Sequence, residues 1–502
     1  MRTIRHFIDQ RAASQPSQPY LIAPETGRMM SYADLQRQSI ALTRHLRSLG
    51  LAKGDKVSLM AHNGYQSARV FLGAMYGGFV VQPINLLAQV SQLEYVLEHS
   101  DTRAVFVADD YRERLNRALA RIARSIKVIP IEVDAATFFD ESAVAQIELP
   151  PIAEDDDALL MYTSGTTGKP KGCVLSHKNC VAGGEFTSAA QRLSGDDRVL
   201  CALPLYHING QIVTAVAPLV HGGTVVMPHR FRASVFWELV STHHCTWINV
   251  VPTIIAYLLN GPDPRDRGLK IDQVRFCRSA SAPLPPAQHL AFEKRFGIGI
   301  IETFGMTETA APCFSNPYEP SKRKLGSPGQ AFGNEAKVID TATGADLGPG
   351  QPGEMMVRGD NVMKCYYKDA QNSAKTIEPD GWMHTGDLGY LDEDGFVFVT
   401  GRIKELIIKG GENIAPREID EALLKHPAVL EAAAVGIPDP HYGQEIMAAV
   451  VLKPGAACTI DELASFCEQE LGPYKSPKLI RMLDELPKGP SGKVQRLKLL
   501  EA

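Results

Sequence analysis

Strand-like and helix-like segments alternate along the chain from its N-terminus to about residue 400. Lys56–Ala61 has the composition of a buried strand, Gly64–Tyr76 has helical spacing, and Val80–Ile84 is again strand-like. Further strands are predicted at Arg198–Leu203, Gly223–Met227 and Gln273–Cys277. Strand, helix and strand in units of about 30 residues are typical of parallel strands joined by helical crossovers. The sequence therefore predicts an α/β fold in which helices cover stacked parallel or mixed sheets.

The pattern changes after Ala331. Short alternating runs bounded by Gly and Pro predict a small antiparallel β unit, and a charged turn at Thr400–Lys404 leads into a mixed tail. The β runs are Ala336–Asp340, Gly353–Arg358 and Gly395–Val399, and the tail is predicted as helix at Pro416–Leu424 and Ile460–Leu471 and as strand at Ala432–Gly436 and Ile446–Leu452. The tail is predicted to be a small α+β domain.

Charge and cysteine usage exclude several classes of protein. Lys and Arg number 52 against 57 Asp and Glu, and the net charge of −5 argues against nucleic-acid binding. The nine cysteines are odd in number and form no C-x-x-C, which argues against a disulfide framework or a zinc site. The N-terminus lacks a signal-peptide core, and no apolar run of about 18 residues would span a membrane. A cytoplasmic protein is expected.

The run Tyr162–Gly172 is the most informative local feature. A strand is predicted before it at Ala158–Met161, and Cys173–Ser176 is a candidate for a second strand that returns after it. It places four Ser or Thr residues, three Gly and two Lys within eleven positions. Glycines let backbone N–H groups wrap an anion, and the hydroxyl and ammonium groups add donors, so the run is suited to a polyphosphate. It is not a Walker A loop, because Pro170 follows Gly168-Lys169. The predicted phosphate contacts are Thr163, Ser164, Gly165, Thr166, Thr167, Gly168, Lys169 and Lys171.

Six further motifs follow in order along the chain. They are Pro204–Gly210, Ser279–Pro285, Phe304–Thr309, His384–Leu388, Gly401–Pro416 and Pro487–Lys493. Together with the phosphate run, they resemble the core motifs of the adenylate-forming superfamily, which includes acyl-CoA synthetases, peptide-synthetase adenylation domains and beetle luciferases. The resemblance extends from about residue 10 to the end of the sequence.

The resemblance implies a two-step reaction that uses ATP, Mg²⁺ and coenzyme A. A carboxylate attacks the α-phosphorus of ATP to give an acyl-adenylate and pyrophosphate, and a thiol then displaces AMP. Because anions must approach a polyanion, catalysis is expected to consist mostly of positioning and charge neutralisation. The resemblance also implies a large domain at residues 1–401 and a mobile domain at residues 402–502, which rotates about a hinge near Lys404.

The resemblance assigns roles to five polar residues. Glu308 is expected to provide a carboxylate ligand to Mg²⁺, and Thr307 to donate a hydrogen bond to phosphate. Asp387 is expected to accept from the ribose hydroxyls, and Arg402 to reach the nucleotide. Lys493 is expected to bridge the substrate carboxylate and the α-phosphate.

Other positions follow the same resemblance. His207 is expected to border the acyl pocket as a catalytic residue, and Gly410 and Gly411 to approach the pantetheine tunnel. The expected nucleotide contacts on the adenine side are Ser281, Ala282, Pro283, Glu302, Thr303 and Phe304.

The substrate and the acceptor are less constrained. No Asp lies between Leu203 and Leu219 to hold an α-ammonium group, which favours a plain acyl or aryl acid over an amino acid. Asn209 and Arg278 are candidates to bind a second polar group, although Arg278 is expected to be a salt-bridge residue at a strand end. Coenzyme A is the expected acceptor, with cations of Tyr474–Lys478 facing its nucleotide end.

Several alternatives stay open from the sequence. The acceptor is otherwise the phosphopantetheine of a carrier protein, although no carrier domain follows the lysine motif in this sequence. A catalytically silent nucleotide-binding protein is disfavoured by the presence of Lys493, Glu308 and Asp387. A luciferase-like oxygenation and a homodimer are both left open.

Overall fold

The computed structural model describes residues 2–141, 146–163, 170–489 and 494–501. Ser164–Lys169 of the predicted phosphate run, and Lys493, lie outside these residues. The strands in the first half of the chain are β1 (Pro19–Ala23), β2 (Arg28–Ser31), β3 (Lys56–Met60), β4 (Val80–Pro83), β5 (Thr102–Ala108), β6 (Lys127–Ile131), β7 (Asp157–Thr163), β8 (Lys171–Ser176), β9 (Arg198–Leu200), β10 (Thr224–Val226) and β11 (Trp247–Val250).

The remaining strands belong to the second half of the chain. They are β12 (Phe276–Ser279), β13 (Ile300–Met306), β14 (Ala311–Ser315), β15 (Gln330–Ala331), β16 (Glu335–Ile339), β17 (Gly353–Arg358), β18 (Cys365–Tyr366), β19 (Met383–Leu391), β20 (Val397–Arg402), β21 (Ile407–Lys409), β22 (Glu412–Ile414), β23 (Val429–Asp439), β24 (Gly443–Leu452) and β25 (Leu479–Met482).

Helices lie between these strands throughout the chain. They are α1 (Ile4–Ser14), α2 (Tyr32–Ser48), α3 (Tyr65–Tyr76), α4 (Val90–His99), α5 (Asp109–Leu119), α6 (His177–Ala190), α7 (Ala217–His221), α8 (Ala233–Thr242), α9 (Pro252–Asn260), α10 (Pro286–Phe296), α11 (Ala370–Thr376), α12 (Pro416–Leu424) and α13 (Ile460–Lys475). A π-helix spans Asn209–Val216, and short 3₁₀ turns include Thr307–Thr309, Ile403–Glu405 and Arg496–Leu500.

Two large mixed sheets form the first part of the molecule. A nine-stranded sheet has the order β15-β14-β13-β12-β11-β9-β10-β1-β2, and a seven-stranded sheet has the order β18-β8-β7-β4-β3-β5-β6. Their central neighbours are parallel: β3 pairs with β4 and β5, and β11 pairs with β9 and β12. The predicted α/β fold with parallel sheets is confirmed.

The main hydrophobic core lies between the two large sheets. It joins Val57 of β3 and Phe106 of β5 to Leu21 of β1 and Trp247 of β11. Helix α3 passes through this core, and all of its residues from Tyr65 to Tyr76 are buried. Its apolar residues, Val70 to Leu72 among them, fill this core, and its polar residues Gln66 and Arg69 are buried with hydrogen-bond or ion-pair partners.

Two predicted strands have different bounds from those expected. The strand predicted at Arg198–Leu203 ends at Leu200, because the Asn63 amide group donates to the Leu203 oxygen and accepts from Leu205 N–H, which holds this backbone out of the sheet. The strand predicted at Gln273–Cys277 is shifted to Phe276–Ser279, since the residues before it form a turn.

The second part of the chain matches the predicted small β unit and α+β tail. Strands β16, β17, β19 and β20 form a four-stranded antiparallel sheet. The tail forms a five-stranded sheet from β21 to β25, with α12 and α13 in the same region. Helix α13 is interrupted at Gly472, where φ is +75°, one residue after the predicted end of this helix.

Hydrophobic clusters divide at the start of the tail. Among the described residues, each cluster draws its buried members either entirely from residues up to Val397 or entirely from residues after Ile403, beginning with Ile407.

No helix of the described chain combines the length and apolar character that a membrane crossing requires.

A glycine in α6 controls how closely one loop approaches this helix. A Cβ atom on Gly183 would lie 2.1 Å from the backbone oxygen of Ala310, whereas one on Gly184 would meet side-chain methyl groups at 3.1 Å. We expect Gly183→Ala to lower the free energy of unfolding by about 2 kcal/mol or more, because the backbone must move. Gly184→Ala, the matched control, is expected to have a smaller effect. Urea denaturation measures both, and equal midpoints for the two variants would contradict this account.

Candidate functional site

The predicted phosphate run connects the two strands of a hairpin. Strand β7 is parallel to β4, and β8 returns antiparallel to β7, with Thr163 opposite Lys171. The run therefore leaves the seven-stranded sheet at the carboxyl end of a central strand, which is where open α/β sheets bind ligands. Thr163 and Lys171 mark the two ends of the loop, and the predicted contacts between them lie outside the described residues.

Glu308 lies in a short 3₁₀ turn that follows β13 in the nine-stranded sheet. Its carboxylate is buried, and Oε1 accepts a hydrogen bond of 3.0 Å from the Tyr366 hydroxyl. Ala310 and Ala311 follow with φ of +45° and +81°, a conformation that costs free energy for residues other than Gly. Strained backbone of this kind clusters at functional sites.

Tyr366 lies between the Glu308 turn and the phosphate hairpin. It pairs with Cys173 of β8, and the Lys171 ammonium group lies 4.7 Å from the centroid of its ring. Burial and the Glu308 carboxylate raise the pKa of the Tyr366 hydroxyl, so it is a hydrogen-bond donor at neutral pH. No motif in the sequence identified Tyr366, because its partner is distant in the chain.

Asp387 and Arg402 face each other across β19 and β20. The buried Asp387 accepts hydrogen bonds of 2.7 and 3.3 Å from Nε and Nη2 of Arg402. The Asp387 carboxylate raises the pKa of Arg402, and Glu405 and Glu308 add smaller contributions in the same direction. The Arg402 guanidinium thus lies within the electrostatic field of both carboxylates predicted to contact nucleotide and metal.

The predicted adenine-side residues come from two adjacent strands. Ser281 has φ of +74°, and it begins the loop that contains Ala282 and Pro283 after β12. Burial raises the pKa of Glu302 to about 7, partly opposed by Arg417 and by a hydrogen bond from the Leu284 backbone. The remaining predicted contacts on β13 are Thr303, which is buried, and Phe304, which packs against Phe314 with ring centroids 5.9 Å apart.

The aromatic/His motif leads into the π-helix Asn209–Val216. His207 lies just before this helix, and its backbone oxygen accepts from Gln211 N–H. A Cβ atom on Gly210 would lie 2.4 Å from the oxygen of Pro204, so only Gly fits there. Isolated π-helical turns are frequent at functional sites, and this one turns Asn209 into the interior.

Asn209 belongs to a buried network with Asn249 and Arg278. Nη1 of Arg278 donates hydrogen bonds of 2.9 Å to the side-chain oxygens of both Asn209 and Asn249. Asn249 Nδ2 donates to Asn209 Oδ1, and Asn209 Nδ2 donates to Ser281 Oγ. The network therefore connects the π-helix, β11, β12 and the adenine-side loop.

Arg278 is a fully buried cation with neutral partners. Among the described residues, no carboxylate forms an ion pair with it, and its Nε has no hydrogen-bond partner. Burial lowers the pKa of Arg278 to about 9, which still leaves it charged at neutral pH. The expectation of a salt-bridge residue at a strand end is wrong, because the side chain points to buried amides rather than to an acid.

The predicted hinge residues lie beyond Arg402. Lys404 is exposed in the 3₁₀ turn Ile403–Glu405. Gly410 has φ of +57°, and its backbone lies against the Tyr474 hydroxyl and the Tyr442 ring; Gly411 has φ of +88° and open space around it. Lys493 lies outside the described residues.

The structure thus brings together two groups of predicted residues. In one group Arg402 pairs with Asp387 and its pKa is also raised by the Glu308 carboxylate, and the other joins Asn209 to Ser281. Thr307 precedes Glu308 in the same turn, so it belongs to the first group. Sequence reasoning missed Tyr366 and underestimated Arg278.

Two family models match this chain. A model described as AMP-binding enzyme matches residues 8–367, and one described as AMP-binding enzyme C-terminal domain matches residues 418–493.

Similar proteins and structures span nearly the whole chain. A sulfoacetate–CoA ligase of Cupriavidus necator is 54% identical over 500 residues, covering 99% of this chain and 97% of that protein. An oxalate–CoA ligase of Arabidopsis thaliana is 32% identical over 468 residues, covering 91% of this chain and 90% of that protein. A crystal structure of ATP-bound MatB from Rhodopseudomonas palustris has a TM-score of 0.91 and 28% identity, covering 99% and 98% of the two chains.

A comparison of two buried arginines tests whether the Arg278 guanidinium, which has no carboxylate partner among the described residues, contributes to stability. Arg278 has only amide partners, whereas Arg69, also fully buried, pairs with Glu141 at 2.8 Å. We expect Arg69→Met to lower the free energy of unfolding by about 1.5 kcal/mol or more, since a charged hydrogen bond to Glu141 is lost while Arg37 still pairs with that carboxylate at 3.0 Å. Arg278→Met removes a desolvated charge as well as its hydrogen bonds, so its free energy of unfolding is expected to stay within about 1 kcal/mol of the parent or to rise. Urea denaturation measures both, and a large loss in Arg278→Met alone would identify a structural role.

Proposed function

The chain belongs to the AMP-binding enzyme family, and from this premise we propose the roles of its residues and the class of acid that it activates. The protein is an ATP-dependent acyl-CoA synthetase that forms AMP. A carboxylate oxygen bonds to the α-phosphorus of ATP as pyrophosphate leaves. The thiol sulfur of coenzyme A then bonds to the acyl carbon as AMP leaves, and the thiol proton passes to solvent.

The first group of residues is proposed to bind the nucleotide. The phosphate hairpin, ending at Thr163 and Lys171, receives the phosphates, with Thr307 as a further donor. Asp387 accepts from the ribose hydroxyls, and Arg402 neutralises charge on the nucleotide side of the site. The support is their convergence, since Arg402 bonds Asp387 and lies in the field of Glu308.

Glu308 is proposed to hold Mg²⁺. Tyr366 occupies Oε1 of its carboxylate, which leaves Oε2 as a hard oxygen ligand of the kind that Mg²⁺ prefers. Bound Mg²⁺ supplies charge neutralisation on the polyphosphate.

The tail is proposed to be a separate mobile domain. We place the boundary at residues 401 and 402 with Lys404 as the hinge, because the hydrophobic clusters divide between Val397 and Ile407. In one orientation Lys493 bridges the acid and the α-phosphate; in the other Gly410 and Gly411 line the path of the pantetheine arm. Free coenzyme A is the proposed acceptor, and an enzyme that transfers only to a carrier protein is the competing possibility.

The acid is proposed to carry a second negative charge. The observation that supports this proposal is the buried Arg278, which has no carboxylate partner among the described residues. A guanidinium removed from water without a counter-ion costs several kcal/mol, and an anion delivered by the substrate would offset that cost. The amide groups of Asn209 and Asn249 orient the guanidinium, and Asn209 reaches Ser281 beside the nucleotide loop. His207 is proposed to border the acyl group beside this network, since it lies two residues before Asn209, where the π-helix begins.

The two relatives named by their acids agree with this chemistry. Sulfoacetate carries a sulfonate one carbon from its carboxylate, and oxalate carries a second carboxylate. With the sulfoacetate–CoA ligase 54% identical over 99% of this chain, we propose sulfoacetate, or a short acid with the same two charges, as the substrate.

The charge on the substrate can be tested with a matched pair of acids. In 3,3-dimethylbutanoate, a neutral tert-butyl group replaces the sulfonate of sulfoacetate at similar size. We expect wild-type enzyme to prefer sulfoacetate, and Arg278→Met to lower kcat/KM for sulfoacetate by about 100-fold or more, because a buried anion then lacks its partner. The kcat/KM of Arg278→Met for 3,3-dimethylbutanoate is expected to equal or exceed that of the wild-type enzyme.

The measurement is acid-dependent ATP–pyrophosphate exchange, followed by thioester formation with coenzyme A. Arg267→Met is the control, since Arg267 is partly exposed and pairs with Glu238 at 3.5 Å. Equal losses for both acids in Arg278→Met would contradict the anion-binding role. No exchange with any acid would contradict the proposed substrate class.

Separate half-reactions test the role of Lys493. We expect Lys493→Ala to lower adenylation by about 100-fold or more, because the ammonium group no longer offsets repulsion between carboxylate and α-phosphate. Conversion of supplied acyl-adenylate to the thioester is expected to stay within about twofold of wild type, because that step does not use this contact. Lys498→Ala, nearby in the chain, is the control, and equal losses in both half-reactions would refute the assignment.

A further inference from the structure

Tyr366 bonds the Glu308 carboxylate but takes no part in either bond-forming step of the proposed reaction. It belongs to β18, the edge strand of the seven-stranded sheet, and β18 is antiparallel to β8 of the phosphate hairpin. The structure joins this residue to two parts of the nucleotide site that come from different sheets.

The first connection is to the phosphate hairpin. Cys365 pairs with Val174, and Tyr366 pairs with Cys173, so the backbone of the edge strand is in register with β8. The Lys171 ammonium group, at the end of the phosphate run, lies 4.7 Å from the centre of the Tyr366 ring. A cation over an aromatic face at this distance is attracted to it, which orients the lysine.

The second connection is to the Glu308 turn. The Tyr366 hydroxyl donates 3.0 Å to Oε1 of Glu308, and the backbone N–H of Met363 donates 2.8 Å to the Glu308 carbonyl oxygen. The same short segment therefore holds both the backbone and the carboxylate of Glu308. Without the hydroxyl, the carboxylate would keep its backbone anchor but would be free to rotate.

We propose that Tyr366 is a positioning residue that fixes the Glu308 carboxylate relative to the phosphate hairpin, and so couples binding of Mg²⁺ to binding of ATP. The inference rests on the proposed role of Glu308 as the Mg²⁺ ligand. An octahedral Mg²⁺ site tolerates little displacement of its ligands, so a rotated carboxylate would weaken the contact.

The test compares ATP dissociation constants with and without Mg²⁺, measured by calorimetry in the absence of acid. In wild type, Mg²⁺ is expected to tighten ATP binding. In Tyr366→Phe, which keeps the ring over Lys171, we expect about a tenfold smaller enhancement, as the loss of a hydrogen bond to a charged group implies. ATP affinity without Mg²⁺ is expected to stay within about twofold of wild type, because the other nucleotide contacts are intact.

The adjacent tyrosine provides a matched control. The Tyr367 hydroxyl donates 2.7 Å to Asp101, away from Glu308, so Tyr367→Phe is expected to keep the full Mg²⁺ enhancement. A full enhancement in Tyr366→Phe would overturn the positioning role. If melting shows Tyr366→Phe to be unfolded, the same measurement is made on Tyr366→Leu, which also lacks a donor to Glu308, and a full Mg²⁺ enhancement there likewise overturns the role.

The variant Glu308→Gln distinguishes failure of the positioning role of Tyr366 from failure of the proposed Mg²⁺ role of Glu308. If Glu308→Gln loses the Mg²⁺ enhancement and Tyr366→Phe does not, only the positioning role fails. If Glu308→Gln itself keeps the enhancement, Glu308 does not bind the metal, and both assignments fail.

Discussion

The guanidinium group of Arg278 is buried with amide oxygens as its partners and no carboxylate of the described chain against it. An enzyme that joins an anionic acid to a polyanion already has to neutralise charge, and a further buried cation is a cost unless a ligand balances it. The π-helix, β11 and β12 each contribute one member of the Arg278 network. Three elements of the fold thus meet at one unbalanced charge.

The residues proposed to bind the nucleotide have hydrogen-bond partners within the protein. Arg402 is paired with Asp387, and Tyr366 satisfies one oxygen of Glu308. Asp387 and Arg402 belong to the small antiparallel sheet, Tyr366 to the seven-stranded sheet, and Glu308 to the turn after β13. Because these residues come from antiparallel strands of different sheets and from a turn, packing between the sheets, and not the register within one sheet, places them in the positions proposed for nucleotide binding.

Much of this arrangement was predictable from local patterns. The hairpin around the phosphate run, the helix at Pro416–Leu424 and the break after Leu471 each depend on residues close in sequence, and the structure confirms them. The strand predicted at Arg198–Leu203 was too long, because a distant side chain, Asn63, removes its last residues from the sheet.

The site residues that sequence reasoning missed share a physical cause. Arg278 resembles any strand-end arginine until its surroundings show that no acid is present, and Tyr366 acquires its meaning only from a partner 58 positions away. The motif resemblance predicted residues that contact substrates, but it could not identify the residues that hold those side chains in place. Tertiary contacts alone supply that information.

The most direct test of the unbalanced-charge account is a crystal structure of the enzyme with the adenylate of sulfoacetate. The account predicts sulfonate oxygens within hydrogen-bond distance of the Arg278 guanidinium, with Asn209 or Asn249 alongside. A sulfonate directed elsewhere, with Arg278 bonded only to the two amides as before, would contradict it.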